Sequence, residues 1–207
     1  MIIAVDGPAA SGKGTIAKAL ARHFGLPHLD TGLLYRAVGL NLLQTGGDPD
    51  SEFAAVRACD ISQIDFADPE LKSETVGGIA SRISAYPLVR QALLERQRTF
   101  ANQPGGSVLD GRDIGTVIAP HAGAKLFVTA SPDVRARRRF DELVRMGLNV
   151  HFEDVLADIH ARDARDSNRA AAPLHKAEDA HLLDTSDMRV EDAVARAIAL
   201  VEEACAR

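Results

Sequence analysis

Ile2-Ile3-Ala4-Val5-Asp6-Gly7-Pro8-Ala9-Ala10-Ser11-Gly12-Lys13-Gly14-Thr15 joins an apolar run to a glycine-rich turn, and a helical pattern follows on Ile16, Leu20 and Phe24. Residues 2–5 read as a strand buried on both faces, because the run has no polar alternation. Small residues through the turn let successive backbone N–H groups point inward around an anion, and the start of the helix adds its positive dipole end. Lys13 offers a mobile point charge to the outer phosphates of a nucleotide, and the hydroxyl of Thr15 is a ligand of the kind Mg²⁺ accepts.

The spacing Gly-x₄-Gly-Lys is that of a P-loop, with Gly14 where many such loops carry the hydroxyl and Thr15 one place later. This Gly-Lys-Gly-Thr ending resembles small kinases of the nucleoside-monophosphate type. Gly7, Pro8, Ala9, Ala10, Ser11, Gly12, Lys13, Gly14 and Thr15 are therefore the ATP-binding candidates, and Thr15 is the metal candidate. No Asn-Lys-x-Asp base-recognition element follows a later strand, which argues against a GTPase switch.

Outward from the loop, short apolar runs alternate with helical patterns. Strands are expected at 28–30, 107–110, 125–130 and 181–184. Helices are expected around Leu33 to Val38, from Pro87 through Phe100, and over 133–146, 152–165 and 190–204. Leu20, Phe24, Val89 and Leu93 read as core. Residues 50–74 are the least periodic and read as a small irregular insert. The fold class is α/β: a P-loop domain with a central parallel sheet of about five strands covered by helices. One domain over 1–207 is expected, with a monophosphate-binding insert within 50–102 and a helical lid within 133–170.

The chain has 207 residues, and 24 Lys+Arg against 29 Asp+Glu give a net charge of −5. That balance argues against nucleic acid as a partner, since such binding rests on a basic face. Yet 19 of the basic residues are Arg, and eight of them fall between Arg135 and Arg169. Guanidinium groups grip phosphate in two places, so the cluster suits small phosphorylated ligands. Cys59 and Cys205 form no metal or disulfide framework. No apolar run is long enough for a membrane span, and the first residues lack the pattern of a signal peptide. A cytoplasmic location and a monomer are expected. His23, His28, His121, His151, His160, His175 and His181 have no metal-ligand spacing and read as surface or packing residues.

Two further motifs point to an acceptor. Asp30-Thr31-Gly32-Leu33-Leu34-Tyr35-Arg36 opens the second helix. Asp110-Gly111-Arg112-Asp113-Ile114-Gly115-Thr116 follows a strand, with Asp110 placed to support a metal–water shell and Arg112 and Asp113 beyond the strand end. Arg162, Arg165, Asp166 and Arg169 fall at i, i+3, i+4 and i+7, one helix face. Three guanidiniums around one carboxylate exceed internal pairing, and the surplus suits a transferring phosphoryl group.

Together with the P-loop, Tyr86-Pro87-Leu88-Val89-Arg90 and Ala172-Pro173-Leu174, these motifs resemble the bacterial cytidylate kinases over nearly the whole chain. The stretch 59–71 is about ten residues shorter than that family's usual insert. The resemblance implies transfer of the γ-phosphoryl group of ATP to CMP or dCMP with Mg²⁺. It makes Thr31, Arg36, Ser81, Arg90, Arg112, Asp113, Arg162, Asp166 and Arg169 the acceptor contacts. Lys13, Arg112, Arg162 and Arg169 become the catalytic candidates. Of Arg135, Arg137, Arg138 and Arg139, some are expected to clamp ATP and at least one to point elsewhere, because adjacent helical positions fan around the axis. Two other readings are a kinase for UMP, AMP or a sugar acid, and a P-loop regulator without transfer activity.

Overall fold

The structure, a computed structural model, describes residues 1–206. Five strands form one sheet: β1 (Ile2–Asp6), β2 (His28–Asp30), β3 (Ser107–Gly111), β4 (Ala124–Thr129) and β5 (His181–Asp184). Their order is β2-β3-β1-β4-β5, and every pairing is parallel. Ile3, Ala4 and Val5 of the central strand are fully buried, as an unbroken apolar run demands when helices cover both faces. The register sets Asp6 beside Gly111 and Phe127, and Asp30 beside Asp110. The carboxyl ends of the inner strands thus meet along one edge, the place where open α/β sheets bind ligands.

The helices are α1 (Lys13–Phe24), α2 (Thr31–Gln44), α3 (Glu52–Arg57), α4 (Glu74–Ile83), α5 (Pro87–Ala101), α6 (Pro132–Arg145), α7 (Phe152–Asn168) and α8 (Val190–Cys205). One sheet face packs on α1 and α8, through Ile16, Leu20, Ala197 and Val201 against Ile3 and Val5. The other face buries Ala4 and Leu109 under Ala101 of α5 and Ile114 and Ile118. Two further apolar clusters stand apart from the sheet. One joins α2, α4 and α5 through Leu34, Val38, Val76, Ile79 and Leu93. The other holds α6 to α7 through Ala136, Leu143, Val155 and Ile159, so the hairpin carries its own small core.

The structure corrects the sequence expectation over 50–74 and adds an unforeseen turn after β3. The 50–74 segment, expected to be irregular, contains α3, capped by the Ser51 hydroxyl on the Ala54 N–H, and a 3₁₀ turn at Pro69–Lys72 capped by Asp68. Only Ala55 of α3 is fully buried, so a helix this short leaves no apolar period to read. After β3, Ile114–Ile118 closes a single π-helical turn, with bonds from Ile118 N–H to the Asp113 carbonyl and from Ala119 N–H to the Ile114 carbonyl. Phe24, expected in the core, is only partly buried at its edge.

Candidate active site

The donor cradle is built from main chain. Gly7 is required by close approach: a Cβ there would lie 2.0 Å from the Val128 carbonyl oxygen. Gly12 caps α1 at φ 89°, a left-handed conformation that glycine adopts without a Cβ clash. Ala10 is left-handed too, at φ 58°, which for a residue with a Cβ costs roughly 1–2 kcal/mol. Strain of that kind persists where surroundings over-determine the loop. The Lys13 Nζ donates to the Pro8 carbonyl at 3.2 Å, folding the side chain across the loop. Burial first, then the charge of Arg112, lowers Lys13 to about 8. Ala9, Ala10, Gly12, Lys13, Gly14 and Thr15 line one cavity at the strand edge, whereas Gly7 and Pro8 lie behind it and Ser11 faces an adjoining one.

The acceptor side is built from side chains. Thr31, Arg36, Ser81, Arg90, Arg112, Asp113, Arg162, Asp166 and Arg169 all line a single second cavity. They come from α2, α4, α5, the segment after β3, and α7 with its C-cap. Specific bonds hold several of them. Thr31 Oγ1 donates to the Asp110 carbonyl at 2.8 Å. Arg36 donates to the Leu71 and Ser73 carbonyls at 2.7 and 3.2 Å. A Cβ on Gly77 would come within 2.8 Å of its Nη2, so that glycine makes room for the guanidinium. Arg90 binds Asp113 Oδ2 through Nη2 and stands 5.8 Å over the Tyr35 ring. Arg112 Nε donates to Asp166 Oδ2 at 2.6 Å.

Arg169 corrects one expectation. It is the C-cap of α7, with extended φ and ψ, so it lies just outside the helix whose face it was expected to share. Its Nε donates to the Ala172 carbonyl at 2.7 Å, and its buried Nη2 lies 3.7 Å from Asp113 Oδ1 without a hydrogen-bond partner among the described residues. Arg165 departs as well: it donates to Ser81 Oγ at 3.2 Å and does not line the cavity.

Five guanidiniums and two carboxylates face this cavity. Burial works against the charge of Arg112 and Asp166, but their mutual attraction and hydrogen bond outweigh it, holding Arg112 up and Asp166 below the usual carboxylate range. Arg169 and Arg36 are lowered, by burial first and then by neighbouring arginines: Arg90 for the one, Arg162 and Arg139 for the other. An anion entering between them relieves that repulsion. Arg36, Arg112 and Arg162 line both cavities and so stand where the two meet.

The arginines at the start of α6 divide. Arg135 is buried, bidentate to Asp163 at 2.9 and 2.6 Å, and also bonded to the Ala130 and Ala9 carbonyls. Arg137 stacks over Phe152 at 4.5 Å. Arg138 and Arg139 face the loop instead. Arg138 donates to the Ser11 carbonyl and Thr185, while Arg139 pairs with Glu142 and with Glu74 of α4.

Sequence reasoning assigned no role to Tyr35, Asp6 or Glu74, and it read His28 as a surface or packing histidine. His28 Nε2 in fact lies 2.7 Å from Asp110 Oδ1. Tyr35 stood four places after Thr31 in a motif already singled out, so helical spacing could have found it. For a divalent cation, Thr15, Asp30 and Asp110 share the donor-side cavity. Asp30 is raised by burial and then by the charge of Asp110, a strain that a cation would relieve. Hydroxyl and carboxylate oxygens are the hard donors that suit Mg²⁺, which keeps water and substrate phosphates in its shell.

A main-chain phosphate cradle facing an arginine-lined anion pocket, at the carboxyl edge of a parallel sheet, defines a P-loop phosphotransferase. The chain matches the family described as "Cytidylate kinase" over residues 3–203. It is 58% identical to a cytidylate kinase of Caulobacter vibrioides (strain NA1000 / CB15N), covering 100% of this chain and 97% of that one. It is 59% identical to a cytidylate kinase of Xanthobacter autotrophicus, covering 98% and 97%. The crystal structure of an uncharacterized protein from Eubacterium ventriosum shares the fold, with a TM-score of 0.56 at 19% identity over 98% of each chain. The chain belongs to the cytidylate kinase family.

Proposed function

We infer that the protein transfers the γ-phosphoryl group of ATP to CMP or dCMP, giving ADP and CDP or dCDP. The observation that carries this reading is the junction: Arg36, Arg112 and Arg162 line both the cavity of the phosphate loop and that of the acceptor. Phosphoryl transfer is mainly positioning and electrostatics, because its transition state spreads charge over three equatorial oxygens. Lys13 and the loop amides from 7 to 15 hold the donor phosphates. Thr15 would hold Mg²⁺, with Asp110 and Asp30 supporting its water shell, and the ion would neutralise charge on the donor phosphates.

Arg36 and Arg112 bind the acceptor phosphate, and Arg162 and Arg169 bring the charge that the transition state needs. Asp166 keeps Arg112 in place through its 2.6 Å bond. Asp113, between Arg90 and Arg169, reads the cytosine amine, while Thr31 and Ser81 complete the wall. Residues 50–102 form the acceptor insert within one domain, and 133–170 form a lid with its own apolar cluster. Action as a monomer belongs to the same reading. No helix among the described residues is long and apolar enough to cross a membrane, and a cytoplasmic enzyme is in keeping with free Cys59 and Cys205. The test is a panel of CMP, dCMP, UMP and AMP, each with ATP and Mg²⁺, followed by ADP release. Turnover fastest on CMP and dCMP is the expected result, and a preference for UMP or AMP would overturn the acceptor assignment.

A further inference from the structure

Asp6 ends the central strand immediately before the phosphate loop, is 5% exposed, and touches neither cavity. Its two oxygens accept from adjacent backbone groups: Oδ1 from Ile114 N–H at 2.8 Å and Oδ2 from Gly115 N–H at 2.7 Å. Those amides open the π-helical turn that follows Arg112 and Asp113, and amides at the start of a helical turn have no partner within it. Gly115 packs against the same carboxylate. A Cβ there would meet Lys125 Cδ at 3.1 Å and Asp6 Oδ2 at 3.4 Å.

We propose that Asp6 is a positioning residue for the acceptor: by gripping the Ile114 and Gly115 amides, it fixes Arg112 and Asp113 relative to the strand that carries the phosphate loop. The proposal rests on the acceptor reading given above. Burial is the main influence on Asp6 and pushes it up to about 6, against the two amide bonds, with Asp113 raising it further and Arg112 lowering it. A carboxylate that costs this much to bury is kept for what it holds.

The test compares Asp6→Asn, Gly115→Ala and Arg112→Met in the full chain. It reads KM for CMP and for ATP separately, with amide hydrogen exchange over 111–118 and 7–15. An asparagine accepts from one amide while its NH₂ group opposes the other. Asp6→Asn should therefore raise KM for CMP by about tenfold, the scale of one lost hydrogen bond, leave KM for ATP within about twofold, and speed exchange over 111–118 only. Gly115→Ala crowds Lys125 Cδ at 3.1 Å, which shifts the turn against the strand with Asp6 intact, and it should give the same split if Asp6→Asn fails to fold. Equal rises in both KM values, or faster exchange over 7–15 as well, would assign Asp6 to general sheet stability and overturn the proposal. Arg112→Met distinguishes the underlying reading. A raised KM for CMP there, with no change in Asp6→Asn and Gly115→Ala, overturns the Asp6 role alone. No change in any of the three overturns the acceptor reading and the proposal with it.

Discussion

The donor cradle and the acceptor pocket meet at one sheet edge but are made differently. On the proposed reading, the cradle is nine consecutive residues that act through backbone N–H groups, one lysine and a helix start. The pocket is paired charges drawn from α2, α4, α5, the segment after β3 and α7, where Arg90 leans on Asp113 and Arg112 on Asp166. A main-chain site depends on local conformation and tolerates variation in its neighbours. A side-chain site depends on each partner holding the next. The two halves should therefore fail in different ways.

The largest effect is expected where the cradle relies on a side chain. Lys13→Met should lower kcat by about 10²–10³, the scale of losing one charge-stabilising donor at a transferring group. The Nζ bonds only the Pro8 carbonyl, so far-UV circular dichroism and KM for CMP should stay at wild-type values. Wild-type turnover in the folded variant would remove Lys13 from the chemistry.

Asp113→Ala probes the opposite half. An ionised carboxylate accepts from the cytosine amine and repels the uracil oxygen in its place. With a charge-assisted bond worth roughly 1.5–3 kcal/mol, kcat/KM for CMP should fall about ten- to a hundredfold. UMP should lose much less, so the CMP/UMP ratio contracts. The structure supplies a competing role, since Asp113 also binds Arg90 and faces Arg169. Equal losses on both substrates would mean that it only orients those arginines.

The same contrast explains what the sequence could show. The cradle and sheet were legible because each signal lies within a few residues: the glycine spacing, the unbroken 2–5 run, the 3.6-residue periods of α1 and α5. The residues that line the second cavity were legible as motifs, but their contacts with one another were not. Nothing near Ile114 announces a π-turn, whose amides bond to Asp6, 108 positions away. His28 looked unremarkable because its partner, Asp110, is 82 positions off. In α3 there are too few residues for a period, and Arg169 broke the expected face because the helix ends one residue earlier.

Acidity separates the halves on a smaller scale. Lys13, lowered to about 8 by burial and Arg112, can attract a phosphate as a cation only while protonated. Its charge is present below pH 8 and lost as pH rises past it. With CMP saturating, kcat/KM for ATP should thus fall by about tenfold per unit at higher pH. On the acceptor side Arg112 is held up and Asp166 is held down, so that pair stays charged throughout. KM for CMP should be level between pH 7 and 9, and a parallel fall on both sides would defeat the distinction.

The smallest effect concerns Glu74, a carboxylate that reaches from α4 to the α6–α7 hairpin. Glu74 opens α4, and it pairs with Arg139 of α6 and, at 3.6 Å, with Arg162 of α7. Both arginines already have an acid within their own hairpin: Glu142 and Asp158, each at 2.6 Å. On the proposed reading, Glu74 competes with substrate phosphates for guanidinium groups that line the first cavity. Its side chain is 39% exposed, which keeps the interaction in the solvent-screened range of about 0.2–1 kcal/mol. Glu74→Gln should lower KM for ATP by at most about fivefold at low salt, with kcat unchanged. The ratio of variant to wild type should approach one in 1 M salt, where the Debye length is about 3 Å. A ratio unaffected by salt would point to packing. A rise in KM instead of a fall would show that the bridge helps to close the α6–α7 hairpin over the donor, and would make Glu74 part of the acceptor insert's hold on the lid.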